Sequence, residues 1–181
     1  MPRFIALLRG VNVGKAKRVP MADFRALLLG LGCTEVATLL NSGNAVFSAA
    51  GTSATKHAAN IAAAIAAQLG VEVPVIVKSA RELAAVMGEN IIAGPVIDPS
   101  RLLVAFTPNA EALAGLAALA TLVQPPERFV IGHHAAYLYC AAGILESKAA
   151  EALLGKLGKA VTTRNWATTQ KLHALASANA G

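Results

Sequence analysis

Five consecutive apolar residues, Phe4–Leu8, stand between Arg3 and Arg9, and the run reads as a short strand over residues 3–9. A polar loop from Gly10 to Pro20 follows. Met21, Phe24, Leu27, Leu28 and Leu31 then recur at helical spacing, with Asp23 in the first turn and Gly30 and Gly32 near the stop. Residues 35–40 and 45–48 are strand-like around Asn41-Ser42-Gly43-Asn44, which reads as a tight hairpin turn. Ala58, Ile61, Ala62, Ile65 and Leu69 mark a second helix ending at Gly70, and residues 71–77 form another strand. The order is βαββαβ.

A connecting helix starts at Ser79, where Ser79 and Glu82 match a capping box and Leu83, Val86 and Met87 give the apolar stripe. Gly94, Pro95, Asp98 and Pro99 interrupt the chain and place a boundary near them. Beyond it the order repeats. Residues 101–106 read as a strand, and Thr107-Pro108 opens a helix through Leu113, Leu116 and Leu119 with proline in the first turn. Pro125-Pro126 stops that helix, and strands at 129–131 and 137–140 flank a turn at Gly132-His133-His134. A short helix at 147–154, a closing strand at 159–163 and a last helix from Trp166 to Ala176 complete the chain.

The expected fold class is therefore α+β, with two ferredoxin-like (βαββαβ) halves joined by a linking helix. The expected divisions are residues 1–78, a linking helix and loop at 79–98, and residues 99–181 with the C-terminal helix. The duplication rests on element order, not on a residue-by-residue repeat. Pro74 falls in the last strand of the first half, an edge position where proline is tolerated. Phe4, Ala6 and Leu8 alternate with Ile5 and Leu7, so the first strand has two apolar faces, and a second half or a second chain is the natural cover for the face without helices.

Composition refines this picture. With 55% hydrophobic and 14% charged residues the chain can fill a core. Its apolar runs, such as 61–67 and 113–120, are too short to span a bilayer. Arg9 interrupts the N-terminal apolar run too early for a signal-peptide core, so a cytoplasmic protein without membrane attachment is expected. Cys33 and Cys140 lie far apart in apolar surroundings and are expected to be reduced and unlinked. His133 and His134 have no ligand-spaced partner, so no metal is expected, while any cofactor stays unknown.

The net charge of +6 is concentrated at the two ends. Arg3, Arg9, Lys15, Lys17 and Arg18 fall in the first 18 residues without an acid, and Lys156, Lys159, Arg164 and Lys171 follow the last acid, Glu151. Such asymmetry fits an anionic partner, and it fits equally a solvated basic surface.

Candidate chemistry centres on Arg9-Gly10-Val11-Asn12-Val13-Gly14-Lys15, where two glycines free the backbone and Arg9, Asn12 and Lys15 supply donors. The segment is not a P-loop: three residues separate the glycines, and Ala16 stands where a magnesium-binding hydroxyl belongs. Anion binding and a structural turn both account for it. Because the first and third strands of such a sheet are antiparallel neighbours, Arg9–Gly14 should lie beside Ser42, Gly43 and Asn44. Near the C-terminus Arg164, Asn165 and Trp166 carry two readings. One is a clamp for an anion beside a stacking ring, with Arg164 expected to share one pocket with Arg9, Asn12, Ser42 and Asn44; the other is a helix cap beside a core tryptophan.

Arg9-Gly10-Val11-Asn12-Val13-Gly14, Met21 at the start of a helix, Ser42-Gly43-Asn44-Ala45-Val46-Phe47 and Thr163-Arg164-Asn165-Trp166-Ala167-Thr168 together resemble the domain-of-unknown-function 1697 family of uncharacterised bacterial proteins. The resemblance spans nearly the whole chain. It departs at Lys15-Ala16, where a small residue and asparagine are expected, and at Leu39-Leu40, where aromatic or polar residues are commoner. It implies no activity, and catalytic residues stay unknown. The residues describe a site rich in donors and poor in bases, with no carboxylate pair and no legible triad. The leading expectation is a binder, with turnover left open, of a small phosphorylated or carboxylated ligand. The alternatives are a nucleic-acid-binding module and an assembly domain without ligand, in a monomer or a homodimer.

Overall fold

A strand with two apolar faces has to be buried on both, and β1 (Arg3–Leu8) is: Phe4 to Leu8 are each 1% exposed or less. A computed structural model describes residues 1–178. The chain is an α+β protein with two four-stranded antiparallel sheets and, among the described residues, six α-helices. It divides into two compact units, Met1–Leu83 with the chain from Leu172 onward, and Ala84–Lys171.

The first unit carries β1, α1 (Met21–Gly30), β2 (Thr34–Leu39), β3 (Asn44–Ser48), α2 (Ala54–Leu69), β4 (Val75–Ser79) and the start of α3 (Ala80–Glu89). Its sheet runs β2-β3-β1-β4. β1 is antiparallel to β3 with Leu7 opposite Asn44, as strand adjacency requires for the two polar clusters to meet. One face of the sheet packs Phe4, Leu8 and Phe47 against Phe24 and Leu28 of α1 and Ile61 and Ile65 of α2. Phe4 and Phe47 stack at 5.7 Å, and the His57 ring sits edge-on to both. Ser53 caps α2 by accepting from the Lys56 amide, and Gly70 ends it in the left-handed conformation. The Ser79–Glu82 capping box forms in both directions, at 3.1 and 3.2 Å.

The second unit repeats the order with β5 (Leu102–Phe106), α4 (Ala110–Ala114), β6 (Arg128–Ile131), β7 (Ala136–Tyr139), α5 (Lys148–Leu154), β8 (Thr162–Asn165) and the start of α6 (Trp166–Ser177). Its sheet runs β6-β7-β5-β8, the counterpart of the first. The core holds Leu103, Leu116, Leu119, Leu138, Cys140, Ala149 and Leu153.

Beyond one-residue shifts at element ends, four assignments differ from those read off the sequence. β4 begins at Val75, so Pro74 precedes the strand; its carbonyl still accepts from the Arg9 amide at 3.1 Å. Pro108 lies before α4, because Asn109 takes the cap by accepting from the Ala112 amide at 2.8 Å. The Leu113-Leu116-Leu119 spacing of three then continues as a 3-10 helix over Gly115–Thr121, whose period is three. The closing strand is Thr162–Asn165, not residues 159–163, since turns closed by Lys156 and Gly158 carbonyls occupy the segment before it.

Cys33 and Cys140 are free and buried, and burial pushes both thiols up from their ordinary pKa. Among the described residues no helix is long and apolar enough to cross a membrane.

Candidate functional site

The connection from β1 to α1, residues 9–20, is built around Asn12. Its backbone is left-handed, φ 57°, a conformation asparagine tolerates better than most residues. Its amide nitrogen donates to the Val19 carbonyl at 2.8 Å and the Asn41 carbonyl at 2.7 Å, and its Oδ1 accepts from the Val19 amide at 2.9 Å. The Asn12 amide also closes on the Lys17 carbonyl at 3.1 Å. Both side-chain donors of Asn12 are thus committed to backbone, and the residue acts as a strut that ties the loop to the β2–β3 turn. Val11 and Val19 anchor the loop ends in the core, at 2% and 0% exposure.

The β2–β3 turn approaches from the other side. The Leu8 amide donates to the Gly43 carbonyl at 2.9 Å. Gly43 has φ 87°, and an added Cβ would lie 2.6 Å from Leu8 Cβ and 2.9 Å from Val11 Cγ2, so only glycine fits there. Asn44 is fully buried, and its amide donates to the Leu39 carbonyl at 2.9 Å and to Ser42 Oγ at 2.8 Å. The sequence pairing of Arg9–Gly14 with Ser42-Gly43-Asn44 is therefore a real juxtaposition at one end of the first sheet.

What the loop offers to solvent is positive. Lys15, Lys17 and Arg18 are exposed, Arg9 is half-buried, and Gly10 and Gly14 take left-handed conformations on either side of Asn12. Lys17 and Arg18 belong to this surface although the glycine-centred motif stops at Lys15; the acid-free stretch of charge was the signal for them. Of the nearest acids in sequence, Asp23 lies in the first turn of α1, and Glu35 pairs with Arg3 at 3.0 Å.

Arg164, Asn165 and Trp166 lie in the second unit. Asn165 caps α6, its Oδ1 accepting from the Thr168 amide at 2.9 Å. Trp166 is 7% exposed, which leaves little ring face on which a base or sugar stacks. Arg164 is 9% exposed and donates to the Thr163 carbonyl at 2.8 Å, and burial pulls its guanidinium pKa down to about 10. His133 and His134 occupy the β6–β7 turn as expected, and no group of three or more potential metal ligands exists among the described residues.

Fold and site together define a duplicated α+β protein with a strut-braced cationic loop at the end of one central strand. The chain belongs to the family described as protein of unknown function (DUF1697), whose model matches residues 1–137. That match contains the loop and the β2–β3 turn and ends before the Arg164 motif. The solved structure of the conserved bacterial protein SP0830 from Streptococcus pneumoniae superposes with a TM-score of 0.80, covering 97% of this chain and 98% of that chain. The two are 23% identical, a likeness that speaks to the fold alone. No curated protein matches the chain significantly.

Proposed function

We propose that the chain binds a small phosphorylated or carboxylated anion at the β1–α1 loop, through Arg9, Lys15, Lys17, Arg18 and the loop amides freed by Gly10 and Gly14. The observation that carries this reading is the bracing of an exposed, acid-free cationic loop by Asn12. A loop ordered before binding loses little entropy when a ligand arrives. Ser42, Gly43 and Asn44 shape the floor of the loop, and Asn165 and Trp166 serve α6. Arg164 is a buried cation of the second unit whose ligand role stands as a separate expectation. With no carboxylate among the donors, binding is favoured over acid–base turnover.

We read each half as ferredoxin-like from its βαββαβ order and matching strand sequence, with working divisions at 1–78, 79–98 and 99–181, in a cytoplasmic monomer or homodimer. Nucleic acid is the second reading, favoured by a pI of about 9.7. Against it, Phe4 and Phe47 on the central strands of the first sheet are buried, whereas RNA-recognition sheets present such aromatics to bases.

Titration of isotope-labelled protein with inorganic phosphate and with sulfate tests the proposal. Saturable amide shifts confined to residues 9–18 are expected. Shifts that are absent, or spread over the basic surface in proportion to ionic strength, overturn it. A nucleic-acid affinity falling steeply with salt, with no phosphate saturation, would transfer the site to the second reading.

A further inference from the structure

Glu89 is the last residue of α3, where the helix carbonyls make a carboxylate unfavourable. Its side chain nevertheless occupies a built pocket of donors in the second unit. Oε1 accepts from the His133 amide at 3.0 Å and the His134 amide at 3.2 Å. Oε2 accepts from the His134 amide at 3.1 Å, the Ala135 amide at 3.1 Å and the Tyr137 hydroxyl at 2.7 Å. Three successive backbone N–H groups converge on one anion, as in the nests that hold phosphates and carboxylates elsewhere.

Two further observations show that the turn is shaped for the anion. A Cβ on Gly132 would run into the Glu89 carboxylate where it now sits, so any larger residue would have to displace that carboxylate from the turn, and Gly132 does not take a left-handed φ. Tyr137 has a single proton and two acceptors in reach, Glu89 Oε2 and the Val86 carbonyl at 3.0 Å. The shorter, charge-assisted bond takes it. Burial first, then the hydrogen bond and charge of Glu89, push Tyr137 ionisation far up, so the hydroxyl remains a donor. Among the described residues no lysine or arginine forms an ion pair with Glu89. Neutral donors alone hold the charge.

We propose that the Gly132–Ala135 turn is a carboxylate-binding site whose occupant is the chain's own Glu89, and that a small free carboxylate enters it when that side chain is removed. Both oxygens of a planar two-oxygen anion are used, so formate and acetate match the donor pattern. The site is independent of the β1–α1 loop, and either can fail without the other.

Thermal unfolding of the Glu89→Ala variant with added formate, phosphate or chloride at equal ionic strength is the test. A midpoint about 5–10 °C below the native protein is expected, with formate restoring a large part of it saturably and leaving the native protein unmoved. Formate acting equally on both proteins, or on neither, overturns the proposal. Should Glu89→Ala not fold, amide hydrogen exchange decides. His133, His134 and Ala135 amides are expected to be protected in the native protein and at least tenfold less protected in Glu89→Gln, which keeps the shape but lacks the charge. Unprotected amides in the native protein, or equal protection in Glu89→Gln, rejects it.

Discussion

The two units answer one topological problem with loops of very different length. Each must carry the chain from the end of a central strand to the first helix of its half. The second unit does so with residues 107–109, where Asn109 caps α4 directly. The first takes residues 9–20 and fills them with glycine, lysine and arginine. Because the same strand order closes with the short connection, the fold does not demand the long one. Loops longer than the fold requires are where binding residues concentrate. The β2–β3 and β6–β7 turns differ in the same spirit. The first sits against the long loop through Gly43, while the second has turned its amides onto Glu89.

The sharpest way to break the comparison is at Gly43. Gly43→Ala combines a left-handed backbone with a Cβ 2.6 Å from Leu8 Cβ, and should cost about 3–5 kcal/mol in denaturant unfolding. Gly10→Ala has a similar φ, 68°, but nothing within 4 Å of the new atom, and should cost only about 1–2 kcal/mol. Equal costs would mean that the close approach of turn and strand is not there.

Next come the two asparagines that organise the unequal loops. Asn12→Ala removes three side-chain hydrogen bonds and should cost about 1–3 kcal/mol while abolishing saturable phosphate binding. Asn109→Ala removes one capping bond, should cost about 1 kcal/mol, and should leave phosphate binding as it was. If both variants lose the anion equally, the long loop is not special.

A smaller effect separates the units by pH. Cys140 and Tyr137 in the second unit, and Cys33 in the first, all have ionisation raised by burial in the folded state. An acid whose folded pKa exceeds its unfolded value contributes stability that is present below the unfolded pKa and lost as pH rises past it. Stability should therefore decline above roughly pH 9–10, and more in the second unit. The chain's one tryptophan and both tyrosines lie in that unit, so the near-ultraviolet signals of tryptophan and tyrosine follow it alone while far-ultraviolet signals follow both. The near-ultraviolet transition should come at the lower pH. Arg164 works in the opposite sense. Its folded pKa is depressed to about 10, so the cost of burying its charge is present at neutral pH and relieved only above that value.

Much of this architecture was legible because each half buries a strand whose residues are apolar on both faces. Phe4–Leu8 and the helical spacing through α1 and α2 leave few alternatives. β8 was harder, since Thr162-Thr163-Arg164-Asn165 has no apolar residue and becomes a strand only by pairing with β5. At the site, the meeting of the Arg9 loop with Ser42-Gly43-Asn44 followed from antiparallel pairing alone. The inward use of the Asn12 donors did not, because a residue type specifies what it donates but not to what. Glu89 was invisible for the same reason: its partners are backbone amides more than forty residues away, marked in sequence by little but Gly132.

The smallest effect on stability falls at the residues expected to matter most for binding. Lys15 and Arg18 are exposed and make none of the ion pairs that hold the described residues together. Replacing both with alanine should change unfolding free energy by less than about 0.5 kcal/mol. Phosphate affinity should nevertheless fall several-fold, because two cations leave the anion's surroundings while Asn12 keeps the loop in shape. If nucleic acid were the true partner, the same double variant would instead flatten the salt dependence, lowering its logarithmic slope by about one for each lost phosphate contact. A double variant that binds phosphate as the parent does would show that the charge on this loop is ordinary solvated surface. The length of residues 9–20 would then have no ligand to explain it, and the contrast between the two units would reduce to one of packing around Val11 and Val19.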